Sequence, residues 1–202
     1  MLRAAVSSVI AIVLITAVFG FAYPFLMTGF GQAAFSNQAN GSLIEQNGKV
    51  IGSKLVAQGF TGPRYFHPRP TATSPPYTAG GTWMGGDTTF ANLGPTNPQL
   101  AKNVQAAAAA ILKLEGPYNP GLKIGGIPVD AVTTSASGID PDITPAYAQL
   151  QSKRVAAVRN LPLETVQKLI SQATDGRSLG FFGEPGVNVL KLNLALDKEQ
   201  SS

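Results

Sequence analysis

The longest unbroken pattern in the chain is apolar. Between Arg3 and Glu45 there is no charged side chain, and from Ala4 to Met27 the run is interrupted only by Ser7, Ser8, Thr16, Tyr23 and small residues. As a helix rising 1.5 Å per residue, that segment reaches about 36 Å, more than the roughly 30 Å of a bilayer's hydrocarbon core. Twelve of its positions are Val, Ile, Leu or Phe, which together favour insertion by about 5 kcal/mol before polar offsets. Tyr23 and Phe25 suit an interfacial belt, and Pro24 marks a place for the helix to end. A cleaved signal peptide is the competing reading. Its apolar core spans only about 7–15 residues, shorter than this run, and Gly31-Gln32-Ala33 is a weak cleavage site. The pattern therefore predicts one transmembrane helix. Arg3 and the amino terminus hold that end in the cytoplasm, so the remainder lies outside it. Ser7, Ser8, Thr16 and Gly20 would let a neighbouring helix approach closely.

Beyond the anchor the periodicity changes repeatedly. Residues 28–42 are small, polar and uncharged and predict a linker. Residues 48–60 alternate well enough for a strand, with Gly52 as a possible bulge. Residues 59–98 are rich in glycine and proline yet carry aromatics, which predicts a long irregular, functional loop. Asn97-Pro98 opens a helix with an apolar stripe of Leu100, Val104, Ile111 and Leu112, stopped by Gly116-Pro117. Residues 127–135 form a candidate strand. Thr144-Pro145 opens a second helix with Ala148, Val155 and Val158 near one face. A third carries Leu163, Val166 and Ile170. Residues 187–196 alternate strictly, with Leu190, Leu192, Leu194 and Leu196 on one side and Lys191 and Asn193 on the other, which predicts a half-buried strand. Strands and helices mix without a βαβ repeat. The prediction is an α+β fold: a single N-terminal transmembrane helix (1–30), a linker (31–47) and a small mixed extracytoplasmic domain (48–202).

Composition narrows the chemistry. Charged residues make up only 13% of the chain, and the net charge of +4 is spread without a basic cluster, so no nucleic-acid partner is expected. With no cysteine, disulfides, thiolate zinc sites and cysteine nucleophiles are excluded. His67 is the one histidine; between Phe66 and Pro68 it suits a packed loop better than a metal or a triad. Ser135 and Ser137 have no evident base, and neither G-x-S-x-G nor a phosphate-binding P-loop occurs. Gly80-Gly81 and Gly85-Gly86 lack the following lysine and helix. The most chemical-looking stretch is SASGIDPDITP (135–145). Calcium would need more oxygen ligands at regular spacing. A turn that stabilises the next helix's N-terminus accounts for Asp140, Asp142 and Thr144. No catalytic, cofactor-binding or metal-ligating residue is assigned. An anchored extracytoplasmic hydrolase or a lone binding module built on the 59–98 loop are the alternatives left by the residues themselves.

Five blocks, GSKLVAQGF, RYFHPRPTAT, ANLGPTNPQL, TTSASGIDPDITPAYAQLQSKRVAAVR and GEPGVNVLKLNLAL, resemble in order and spacing the C subunit of Kdp-type potassium-transporting P-type ATPases. The resemblance covers essentially the whole chain. It implies a non-catalytic accessory subunit, of catalytic-chaperone type, in an inner-membrane potassium-uptake complex. It implies two protein partners, a channel-like potassium-selecting subunit and a pump subunit that hydrolyses ATP, with ATP and potassium handled by them. MGGDTTFANLGP departs from the family's usual SGGSNLGP-like stretch, with Asp87 and Phe90 inserted. With this topology the domain would sit over the extracellular mouth of the ion-selecting subunit. Asp140, Asp142, Glu184 and Asp197 would raise the local cation concentration there if they cluster. Lys153, Arg154 and Arg159 would pair with these acids or a partner, or form a solvated helix face.

Overall fold

The apolar segment folds as one helical run from Leu2 to Ala34: α1 (Leu2–Ile15), a π-helical stretch (Thr16–Ala22) and α2 (Tyr23–Ala34). The computed structural model describes residues 1–46, 48–60, 62–71 and 92–200. The 33 residues of this run are about 50 Å long, more than a bilayer core requires. The helix does not end at Pro24. Proline lacks an N–H and crowds the preceding turn, and the wider π turns lie directly before it, so the ladder resumes in α2 instead of breaking. The polar residues after Met27 therefore continue the helix. A short α3 (Ser36–Ala39) follows, closed by Gly41 and Ser42 in left-handed conformation. By contact density the chain falls into two units, Met1–Leu43 and Ile44–Ser202.

A small two-stranded sheet, β1 (Leu43–Gln46) and β2 (Lys49–Ser53), follows α3. Strand β2 stops well short of residue 60. Gly52 serves a close approach: a Cβ there would lie 1.7 Å from the Gln58 amide nitrogen, which donates to the Ile51 carbonyl. Helix α4 (Pro98–Glu115) is capped by Asn97, whose side chain accepts from the Gln99 N–H at 2.9 Å. Residues 127–135 are not a strand. Pro128 removes a ladder donor, and a 3-10 turn, Val129–Ala131, forms with Asp130 buried inside it.

Helix α5 (Pro145–Arg159) runs through the middle of the core. Thr144 caps it by accepting from the Tyr147 N–H at 3.1 Å. Ala148 and Val155 are fully buried while Val158 is 40% exposed. Antiparallel β3 (Asp142–Ile143), β4 (Thr174–Asp175) and β5 (Gly186–Asn188) make a three-stranded sheet with β5 central; Val187 faces both Ile143 and Thr174. Helix α6 (Leu163–Gln172) buries Val166, Leu169 and Ile170.

The C-terminal segment departs most from the sequence pattern. Only Gly186–Asn188 is strand; Val189–Glu199 is helix α7. The alternating leucines hide a second pattern, Val189, Leu192, Asn193 and Leu196, whose three- and four-residue spacing lines one helical face, and all four are buried. Leucine and alanine are strong helix formers, and the Asn188 side chain caps the first turn through the Lys191 N–H at 3.1 Å.

Candidate functional site

The acidic knot is a small lock. Asp140, Asp142, Asp130 and Arg69 line a cavity of about 150 Å³. Asp140 accepts from its own turn, the Asp142 N–H at 3.1 Å, and pairs with Arg69 at 2.9 Å. The carboxylate at the α5 N-terminus is neither Asp140 nor Asp142. It is Asp130, which takes both the Thr144 N–H (2.7 Å) and hydroxyl (3.0 Å) and so holds the capping residue. Asp142 lies in β3 and accepts from Asn188 at 2.9 Å. Burial pushes its carboxyl above the ordinary range; the Asn188 hydrogen bond opposes this, and Asp140 and Asp175 add to it.

Three of the four acids expected to attract cations are each matched by an arginine. Asp140 pairs with Arg69, Glu184 with Arg177, and Asp197 with Arg159 at 2.9 Å. Each of these three carboxylates is paired with a different arginine, which offsets its own charge, while Asp142 is held by the neutral Asn188 amide.

A second polar assembly was not visible in the sequence. Residues 62–71 contain Pro63, Pro68 and Pro70, so the segment cannot supply a regular strand ladder. Side chains replace that ladder. Arg154, with none of its surface exposed, donates to the Pro63 carbonyl and, at 2.9 Å, to the Tyr65 carbonyl. Arg159 donates to the Arg64 carbonyl at 2.6 Å. Asn193 clamps Phe66 through both its N–H and its carbonyl (2.9 Å each), and Gln151 does the same for His67 at 2.8 and 3.1 Å. Five consecutive carbonyls are thereby satisfied from α5 and α7. Arg154 also pairs with the fully buried Glu115 at 2.8 Å. Burial raises the Glu115 carboxyl above its ordinary value, and Arg154 pulls it back. Arg154 and Arg159 are therefore interior residues, whereas Lys153 is exposed.

The His67 ring hydrogen-bonds the Gly62 carbonyl at 3.0 Å, and burial lowers its basicity. Ser137 accepts from the Ile139 N–H. Among the described residues no hydrogen bond joins His67 to a serine or a carboxylate, so no hydrolytic triad assembles there. A larger cavity of about 580 Å³ is lined by Leu100, Val104 and Thr133, with the buried Ser135 hydroxyl and the chain at Thr71 and Asn92 on its wall. The glycine pairs at 80–81 and 85–86, Asp87, Phe90 and most of the proposed 59–98 binding loop lie outside the described residues.

Fold and site together define an α+β protein with, among the described residues, one N-terminal helix long and apolar enough to cross a membrane, and with polar clusters that hold its own chain in place. The sequence model of the family described as "K+-transporting ATPase, c chain" (KdpC) matches residues 5–198. The chain is 53% identical over 196 residues to the potassium-transporting ATPase KdpC subunit of Burkholderia orbicola, covering 96% of this chain and 95% of that one. It is 51% identical over 193 residues to the subunit of the same name from Paraburkholderia phytofirmans, with 94% of each covered. The chain belongs to the family of KdpC subunits of potassium-transporting ATPases.

Proposed function

We infer that the protein is an accessory subunit of an ATP-driven potassium-uptake complex. It would assemble with a channel-like ion-selecting subunit and a P-type pump subunit, and carry no catalytic step itself. The observation that carries this reading is the end-to-end family match, which begins within the apolar helix and runs through α7. Inward-turned charge supports the non-catalytic role: Arg154, held by Glu115, and Arg159 brace the backbone carbonyls of residues 63–65. Arg3 on the amino-terminal side of the helix, with no further basic residue before Lys49, favours a cytoplasmic amino end and an extracytoplasmic body in the inner membrane. On that arrangement the body has no access to cytoplasmic ATP, and nucleotide is handled by the pump subunit. Any effect on the pump's nucleotide affinity then passes through the anchor helix, as a preference for one conformation over another.

The native chain has no cysteine, which makes sidedness directly readable. In a Glu199→Cys variant, a membrane-impermeant maleimide is expected to label intact spheroplasts and to leave sealed inverted vesicles unlabelled. The reverse pattern would place the body with the nucleotide and overturn the proposed division of labour.

A further inference from the structure

Between β4 and β5 the chain makes a tight hairpin tip that displays apolar side chains instead of burying them. Leu179 is 83% exposed, Phe181 64% and Phe182 58%. Isolated exposed apolar residues are ordinary, but three within four positions form a patch. The tip is built, not frayed. Ser178 and Phe182 exchange both backbone hydrogen bonds at 2.9 Å, and the two phenylalanine rings lie 4.2 Å apart. Arg177 and Glu184 pair across its neck at 2.6 Å. Gly180 and Gly183 take positive φ, but so does Leu179 at +54°. A leucine held in the left-handed region, in a loop that already uses glycine for such positions, marks a side chain displayed against conformational preference.

Two surfaces accept such a knob: a bilayer and an apolar socket in a protein. Charge separates them. Lipid-binding loops flank their apolar residues with several lysines or arginines. Here the neighbours are Asp175, Arg177 and Glu184, one cation against two carboxylates, in a chain whose total charge is positive. We propose that the hairpin tip, residues 178–183, is a docking knob that inserts Leu179, Phe181 and Phe182 into an apolar socket on a membrane subunit of the same complex. This rests on the reading of the chain as an accessory subunit. Rigid aromatics entering a desolvated pocket are the side chains that dominate interface energy.

The test uses the intact complex in native membranes. A benzophenone amino acid replacing Phe181 should cross-link to a subunit, while the same probe replacing the exposed Lys168 on α6 should not. Replacing Leu179, Phe181 and Phe182 together by Gln should lower recovery of partner subunits about tenfold or more, with the thermal unfolding midpoint of the chain unchanged. Adducts only with lipid, adducts only with a second copy of this chain, or unchanged recovery would each overturn the proposal. If the unaltered chain recovers partners while the Phe181 probe yields no protein adduct, the knob is wrong and the subunit reading stands. If the unaltered chain recovers no partners, the subunit reading itself fails.

Discussion

The anchor and the body handle polarity in opposite ways. Along Leu2–Ala34 the apolar side chains point outward and no residue is buried. In the body, two arginines and a glutamate lie inside, with Arg154 and Glu115 showing no exposed surface. The helix satisfies its own backbone groups and leaves its side chains to whatever surrounds it, lipid or neighbouring helices. The body contains a proline-rich segment that cannot satisfy its own backbone, and long polar side chains on α5 and α7 do it instead. One region is thus incomplete without its surroundings, while the other is largely self-sufficient, its hairpin tip excepted.

Exchanging residues 4–27 for an unrelated apolar helix tests this contrast most severely. Recovery of the complex should be lost almost entirely, while the body's thermal unfolding midpoint in detergent stays where it was. A shifted midpoint would show that the two regions are not independent in this sense. Next in size is Arg154→Met, which leaves Glu115 buried without its cation and the Pro63 and Tyr65 carbonyls without a donor. A loss of about 3–5 kcal/mol is expected in denaturant unfolding. Adding Glu115→Leu should restore much of it, because an apolar pair avoids the unpaired buried charge.

The smallest effect concerns Asp142. Its carboxyl titrates above the ordinary 3.8 in the folded protein. Between the unfolded and folded values the native state therefore holds the extra proton, and stability falls as pH rises through that window. Asp142→Asn retains an acceptor for the Asn188 amide and removes the charge. It should add about 0.5 kcal/mol at neutral pH, and the gain should shrink as pH falls through the folded value toward 3.8. Equal unfolding midpoints for the two proteins across pH 3–7 would contradict this assignment.

Features governed by neighbours in the chain were legible in advance. The apolar run, the Asn97 and Thr144 caps followed by proline, and the Leu163/Val166/Ile170 stripe all depend on contacts within a few residues. The C-terminal segment was misleading because leucines at every second position also fit a helix when Val189 and the buried Asn193 complete the face. No local pattern shows that Asn193 will clamp Phe66, a residue 127 positions away. The interior placement of Arg154 and Arg159 was hidden for the same reason: on a helix, a charge predicts solvent unless a partner waits inside. A signal did exist in Pro63, Pro68 and Pro70, whose segment needs carbonyl partners that no strand could provide.

The sequence by itself determined the membrane helix, most helix starts and the mixed fold class, because hydrophobic run length, capping and proline act over a turn or two. Only the tertiary structure decided which charges are interior, which acids are neutralised and which apolar side chains stay outside. Those outcomes depend on which distant backbone groups lack partners once the chain has folded.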